Sequence, residues 1–545
     1  LIKPVLEARL LFVSNNFSVM NFSQKSDYWA GFKEEFEFFN SILYRQQMQQ
    51  PKSDNMAQMY NYAIQTKGLL LNSDAKLRRK VLTSGDSSLS ATYNEWLYQK
   101  EYYALVATFS KQQLMEDKIS PEEIGLYIED LEKQINVKTG NLLTFSKVFD
   151  WKDVKNALPE KSTSVEMVRF RYFNQNFTDT VIYACLSISK EDANGPNAIF
   201  STDGKLMESS YLKYYRNASI NKLEDENSYT NYWKPFVANV PSGNTIFFSS
   251  EGVYNQINPE MLYDETVKKY ALEANTFVFV SSTKDLVAET EKKKVEKSLE
   301  SVYYLFGNPK FYDQKLIGRK DTVANLPGAA KEIEDISAVL TKNARKNIKL
   351  LGSNVTEDTL KAIQNPSVIH IATHGFFMEQ NYDESATQNP MLNSGLMLSG
   401  SGNILATLES TYINQKPGIL TASEVMELNF SNTNLVVLSA CETGRGQVEV
   451  GEGVYGLQRA FLVAGAKAII LSLFKVDDEA TRLLMSKFYE KSIQNGGDYR
   501  KAFREAKQAL RDSPEFEKPV FWGSFIMIEG KPAKNNGTRK SNQGI

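Results

Sequence analysis

Cysteine and histidine are scarce in this 545-residue sequence, which has two of each. Two cysteines, Cys185 and Cys441, exclude a disulfide-stapled fold and make a reducing setting, the cytoplasm, the expectation. Both histidines fall in His370-Ile-Ala-Thr-His374, so chemistry that needs an imidazole is confined to that stretch. Net charge is nearly absent as well. Lys and Arg number 63 against 65 Asp and Glu, which leaves no global field to gather nucleic acid or anionic lipid, and neither is an expected partner. Long apolar runs are missing. The longest, Ala460 to Phe474, is broken by Lys467 and falls short of the ~20 residues a membrane-crossing helix needs. No secretory signal is read in the opening residues, and Leu1 in place of Met makes a longer parent protein the expectation.

What is present is an ordinary globular composition, 42% hydrophobic and 23% charged, with 27 Tyr and 31 Phe to fill packed cores. At ~100–200 residues per domain the length predicts three or four units. Residues 1–157 read as helical, in segments such as Tyr93 to Gln113 with few β-branched runs and no clean repeat. From Val165 the texture changes. Val165 to Phe173 and Thr180 to Ile188 are β-rich runs joined by a polar turn, and Asn244 to Ser249 and Thr276 to Val280 are short apolar runs suited to buried strands. Cys185 sits among apolar neighbours and reads as core. Thr290 to Glu300 is a charged helical connector, and the tail after Gly530 reads as disordered.

A further α/β unit starts near Tyr303. Leu326-Pro-Gly-Ala-Ala opens a helix whose apolar stripe is Ile333, Ile336 and Leu340, with Glu332, Glu334 and Asp335 elsewhere. A strand (348–351), a helix (356–364) and a strand (367–372) follow. Next come a strand from Asn434 to Ala440, a helix from Gly453 to Ala464, a strand from Ala468 to Phe474 and a helix from Glu479. This alternation predicts an α/β fold with a mainly parallel sheet. Glu379 to Thr421 is a long polar loop suited to a lid or a processing site.

Functional groups in such sheets collect beyond the carboxyl ends of strands. One strand runs into His374-Gly375 and another into Cys441-Glu442, 67 residues later, so only the sheet can unite them. A thiolate is the nucleophile, and a neighbouring imidazole takes the thiol proton. The N–H groups of Gly375 and Cys441 are candidate oxyanion donors. Competing signals are weaker. His370 and His374 share the spacing of a zinc pair, but Ile371 stands where a zinc protease needs glutamate and the segment reads as strand, so no metal is expected. His370 reads as a hydrogen-bonded core residue. Gly451-Glu-Gly-Val-Tyr-Gly456 fits a dinucleotide loop, yet ten residues separate it from the preceding strand, so no cofactor is expected. Glu442 and Arg445 bind substrate or pair with each other.

His-Ile-Ala-Thr-His-Gly-Phe-Phe (370–377), Leu-Ser-Ala-Cys-Glu-Thr-Gly-Arg-Gly (438–446) and Gly-Glu-Gly-Val-Tyr-Gly-Leu-Gln-Arg-Ala-Phe (451–461) closely resemble the CHAT domain, a prokaryotic branch of the caspase-like cysteine peptidases akin to separase. Leu305-Phe-Gly-Asn-Pro309, Leu326-Pro-Gly-Ala-Ala330, Ala464-Gly-Ala466 and Phe521-Trp-Gly-Ser-Phe525 fit it in order. The resemblance is strong over about 303–530 and weaker upstream. It implies a caspase-like α/β/α sandwich, His374 as general base, Cys441 as nucleophile and Gly375 as oxyanion glycine. It also implies a degenerate caspase-like copy over 158–300, a peptidase domain over 301–530, a tail over 531–545, and a helical region over 1–157 that is a possible repeat remnant. Family habits add a protein substrate, a helical regulatory or activator protein, and work in bacterial defence or regulated cell death. Phe474 stands where many members carry Trp. In related enzymes the stretch Lys475-Val-Asp-Asp478 lines the pocket for the residue before the cut. Asp477 or Asp478 could pair there with Arg or Lys, or cap the following helix; the capping role is expected for Asp478. Two function classes stay open: an active endopeptidase, and a silent caspase-like scaffold that binds protein partners.

Overall fold

The computed structural model describes residues 2–17, 22–69, 81, 84–106, 111–116, 118–139, 148–287, 301–312, 323–363, 366–377, 391, 394–402, 418–440, 447–449 and 453–530. The connector 290–300, most of the loop 379–421, residues 441–446 and the tail 531–545 lie outside them.

The strands are β1 (Ser162–Asn174), β2 (Asn176–Ser189), β3 (Asn197–Ser201), β4 (Thr245–Ser249), β5 (Tyr263–Asp264), β6 (Lys269–Tyr270), β7 (Thr276–Val280), β8 (Tyr303–Pro309), β9 (Asn347–Gly352), β10 (Val368–Ala372), β11 (His374–Phe377), β12 (Ser394–Met397), β13 (Ile419–Thr421), β14 (Leu435–Ser439), β15 (Gln447–Glu449), β16 (Gly453–Tyr455), β17 (Ala468–Ser472) and β18 (Phe525–Glu529). β10, β14 and β17 are short apolar runs buried at every residue, as strands covered on both faces must be. β1 and β2 are instead long and antiparallel, reversing at Gln175, whose left-handed backbone (φ 65°) closes the hairpin between two asparagines.

Eleven strands form one sheet in the order β3-β2-β1-β4-β7-β18-β17-β14-β10-β8-β9. It is mostly parallel and packed with helices, the α/β architecture expected. Residues 162–280 and 303–529 therefore share a single sheet, joined by the C-terminal strand β18. That strand runs antiparallel to β17 but pairs with β7 only through Ile528 opposite Phe279 and Glu529 opposite Val280. Side chains reinforce this short seam. Arg500 holds Glu529 through two bonds of 2.8 Å, buried Lys507 pairs with Glu260, and the Asn258 amide donates to the Gly523 carbonyl at 2.7 Å.

The described part of residues 1–157 is helical, as expected. The helices Phe22–Gln49 and Ser53–Thr66 pack into the same core as β1, whereas Ser87–Val106 and Pro121–Thr139 share a smaller cluster of their own around Tyr93, Trp96, Leu131 and Ile135. Lys67, just beyond the Ser53–Thr66 helix, is driven in where the pairing of β1 with β4 ends, at Glu166 opposite Ser249. Its ammonium lies 2.6 Å from Glu166 and 2.8 Å from the Ser249 hydroxyl, with Lys67 5% and Glu166 0% exposed.

Three local expectations are corrected. The helix read from Gly453 starts at Leu457, because residues 453–455 pair with β15 as a hairpin; the glycine-rich stretch gains little from helix and satisfies its backbone by pairing. Gly453 therefore lies in a strand, and Gly456 stands immediately before the helix. Glu332, placed off the apolar stripe, is buried with it, since it leads Ile336 and Leu340 at four-residue steps. The helix read from Glu479 begins at Asp478 and is capped by Asp477, one residue earlier than expected, whose carboxylate accepts from the N–H groups of Glu479 and Ala480 at 3.2 and 3.1 Å.

The Pro327–Lys342 helix lies close against β8 because residue 307 has no side chain. A Cβ there would stand 2.4 Å from Ile333 Cγ1.

Candidate active site

The two strands that lead to His374 and Cys441 are adjacent. β10 and β14 run parallel in direct pairing, from Val368 opposite Leu435 to Ala372 opposite Ser439. Beyond Ala372 the chain bends at Thr373, whose hydroxyl bonds the Met397 carbonyl, and then leaves the main sheet. His374 begins β11, which pairs with β12 in a small three-stranded sheet, with His374 opposite Met397 and Gly375 opposite Leu396.

The His374 ring is half-buried beside Phe311, with centroids 5.3 Å apart. Its Nε2 lies 2.8 Å from the main-chain carbonyl of Ala324, in the segment that leads into the Pro327–Lys342 helix. A carbonyl can only accept, so Nε2 carries a proton and Nδ1 is left as the basic nitrogen of the neutral ring. No sequence signal marks Ala324, since every residue has a carbonyl. Only folding selects this one.

On the other strand, Ser439 donates to Glu332 Oε2 at 2.9 Å, and the carbonyl of Ala440 accepts from the Ser472 hydroxyl at 2.6 Å. Cys441 and Glu442 follow and lie outside the described residues, as does Arg445. His370, four residues before His374, is fully buried. Its Nε2 is 2.8 Å from Glu332 Oε1 and its Nδ1 3.2 Å from the Tyr489 hydroxyl, the hydrogen-bonded core role expected of it.

The acidic pair after β17 divides its work. Asp477 caps its helix and sits 3.8 Å from the Lys222 ammonium, while Asp478 is exposed in the first turn, against Gly328. Phe474 is buried against the Tyr215 ring at 5.7 Å. Cys185 lies in β2 opposite Met167 of β1, fully buried, and burial pushes its thiol up to about 12, so it is an inert core residue.

Comparison with known proteins adds a family. A stretch of 118 residues is 34% identical to tetratricopeptide repeat protein 28 of Mus musculus, covering 22% of this chain and 5% of that protein. The chain thus spans only about a twentieth of that relative's length. Among solved structures, the Arg-specific cysteine proteinase gingipain R aligns with 61% of this chain and 68% of its own, at 10% identity and a TM-score of 0.34. The separase of the Saccharomyces cerevisiae separase–securin complex aligns with 81% of this chain and 28% of its own, at 10% identity and a TM-score of 0.29. Superpositions this partial carry no weight for activity. The family model described as the CHAT domain, by contrast, matches residues 227–530, more than half of the sequence and all the strands from β4 onward. On that match the chain belongs to the CHAT domain family.

Proposed function

We propose that the chain is a cysteine endopeptidase with Cys441 as nucleophile and His374 as general base. The observation that carries this reading is the register of β10 and β14. Ala372 and Ser439 are paired, and His374 and Cys441 each follow two residues later. Nδ1 of His374, left free by the Ala324 bond, is suited to accept the thiol proton. The thiolate then adds to the scissile carbonyl carbon, and the N–H groups of Gly375 and Cys441 receive the developing oxyanion. Collapse breaks the C–N bond, the amine takes its proton from the imidazolium, and water releases the acyl group from sulfur.

Selection for Arg or Lys before the cut rests in this reading on Asp478, with Glu442 beside the nucleophile as a further contact, because the Asp477 carboxylate is engaged by its helix cap. The helical region acts as the regulatory arm, which the buried tie of Lys67 to the sheet supports. Its partners are a protein substrate and a helical activator, and the expected setting is bacterial defence or regulated cell death in the cytoplasm. No helix among the described residues is long and apolar enough to cross a membrane.

The test is proteomic. Exposure of a bacterial lysate to wild type, Cys441→Ala and His374→Ala should yield new protein termini with wild type alone. Identical termini in all three samples would remove the peptidase reading and favour a silent scaffold.

A further inference from the structure

We propose that Glu332 is a positioning residue for the Cys441–His374 pair, bracing the two strands that lead to them through one buried carboxylate. This rests on the peptidase reading and adds to it a residue that touches neither the substrate nor the reacting atoms. Glu332 projects from the Pro327–Lys342 helix and is 4% exposed. One oxygen lies 2.8 Å from His370 Nε2 on β10, and the other accepts from the Ser439 hydroxyl on β14 at 2.9 Å. His370 is four residues before His374, and Ser439 is two before Cys441. The same carboxylate therefore joins the middle of β10 to the last paired residue of β14, the two strands that lead to the proposed catalytic residues.

The bonding order of this network indicates what Glu332 must supply. Burial pushes the Tyr489 phenol well above its ordinary range, so it keeps its proton and can donate to His370 Nδ1. Nε2–H then donates to one carboxylate oxygen and Ser439 O–H to the other, and every group is satisfied with a neutral imidazole. In this arrangement Glu332 serves as a double acceptor of fixed shape. Both tied residues lie within the paired stretch of β10 and β14, so Glu332 fixes the placement of the two strands from which the His374 and Cys441 segments emerge. Without an acceptor, two buried donors must move to find partners, and the strands move with them.

This predicts that shape matters and charge does not. Glutamine keeps the shape: its oxygen accepts from His370, and its amide donates to a reoriented Ser439 hydroxyl. Alanine keeps neither bond. The measurement is the rate of Cys441 alkylation by iodoacetamide across pH 5 to 9, followed by mass spectrometry on the full chain. It needs no substrate and reports how far the imidazole activates the thiol. His374→Ala should slow labelling near neutral pH by about tenfold or more, with the rate midpoint moved toward that of an ordinary thiol. Glu332→Ala should slow it about fivefold and move the midpoint in the same direction, Ser439→Ala about twofold, and Glu332→Gln should stay within about twofold of wild type.

A Glu332→Gln rate as low as that of Glu332→Ala overturns the proposal in favour of a charge role. Wild-type rates in both Glu332→Ala and Ser439→Ala overturn it outright. If Glu332→Ala does not fold, Ser439→Ala and Glu332→Gln decide the matter by the same limits. Wild-type labelling in His374→Ala removes the underlying catalytic pair, and the proposal with it, whatever the Glu332 variants do.

Discussion

Ala372 and Ser439 face each other as the last paired residues of two neighbouring parallel strands. Past that pair the two chains diverge in support. One bends at Thr373 and is held through Thr373 and the Ala324 carbonyl, while the other is held through Ser439 and the Ala440 carbonyl. The candidate site is thus carried at the carboxyl ends of two interior strands, with side-chain ties taking over where main-chain pairing stops.

The two thiols should differ in reactivity. With its pKa pushed up to about 12 by burial, Cys185 is thiolate to only ~10⁻⁴ at pH 8 and is closed to reagent. Native protein treated with iodoacetamide should gain one adduct by intact mass, on Cys441, and urea-unfolded protein two. Labelling of Cys185 in the native state would contradict its place in the core.

Gly307→Ala should destabilise the fold through the packing of one helix on β8. The new methyl would stand 2.4 Å from Ile333 Cγ1 and 3.0 Å from the Ala329 carbonyl, both well inside contact distance. Overpacking of this kind costs about 1–3 kcal/mol and should lower the melting temperature. Pairing it with Ile333→Ala should cost less than the two single changes summed, since the deletion makes room. Strict additivity would argue that the helix can shift freely.

Lys67→Met should loosen the helical region from the sheet. It removes the cation from buried Glu166, and breaking a buried pair from one side costs about 3–5 kcal/mol. The double variant Lys67→Met/Glu166→Gln should recover part of that loss. Limited trypsin digestion of residues 22–66 follows the detachment, and equal protection of wild type and Lys67→Met would exclude the tie.

Asp285 should give stability an unusual pH dependence. Burial holds its carboxyl up at about 6, against ~3.9 for an ordinary aspartate. Between these values the folded chain keeps a proton that the unfolded chain releases. Its contribution is therefore full below about pH 4 and is lost as the pH rises through about 6. The melting temperature of Asp285→Asn relative to wild type should accordingly rise between pH 4 and pH 7. A constant difference across that range would mean the carboxyl ionises normally.

The alternation of strands and helices was legible because parallel strands covered on both faces are mostly apolar: Val368 to Ala372, Leu435 to Ser439 and Ala468 to Ser472 all stand where their composition places them. The adjacency of the two strands ending near His374 and Cys441 was also foreseeable, since a sheet alone can join residues that far apart. Glu332 was misplaced by its charge, although its four-residue step to Ile336 marks the buried face. Asp477 took the cap expected of Asp478, a one-residue choice between neighbouring carboxylates that composition does not make.

The sequence by itself determined where imidazole and thiol chemistry can occur, because only two residues of each kind exist and apolar runs lead into one of each. Tertiary structure alone decided that residues 162–280 and 303–529 share a sheet through β18, and that the Ala324 carbonyl fixes which nitrogen of His374 holds the proton. The reason is physical: side-chain patterning encodes local burial, whereas main-chain partners and strand neighbours far apart in the chain are selected only when the whole core closes.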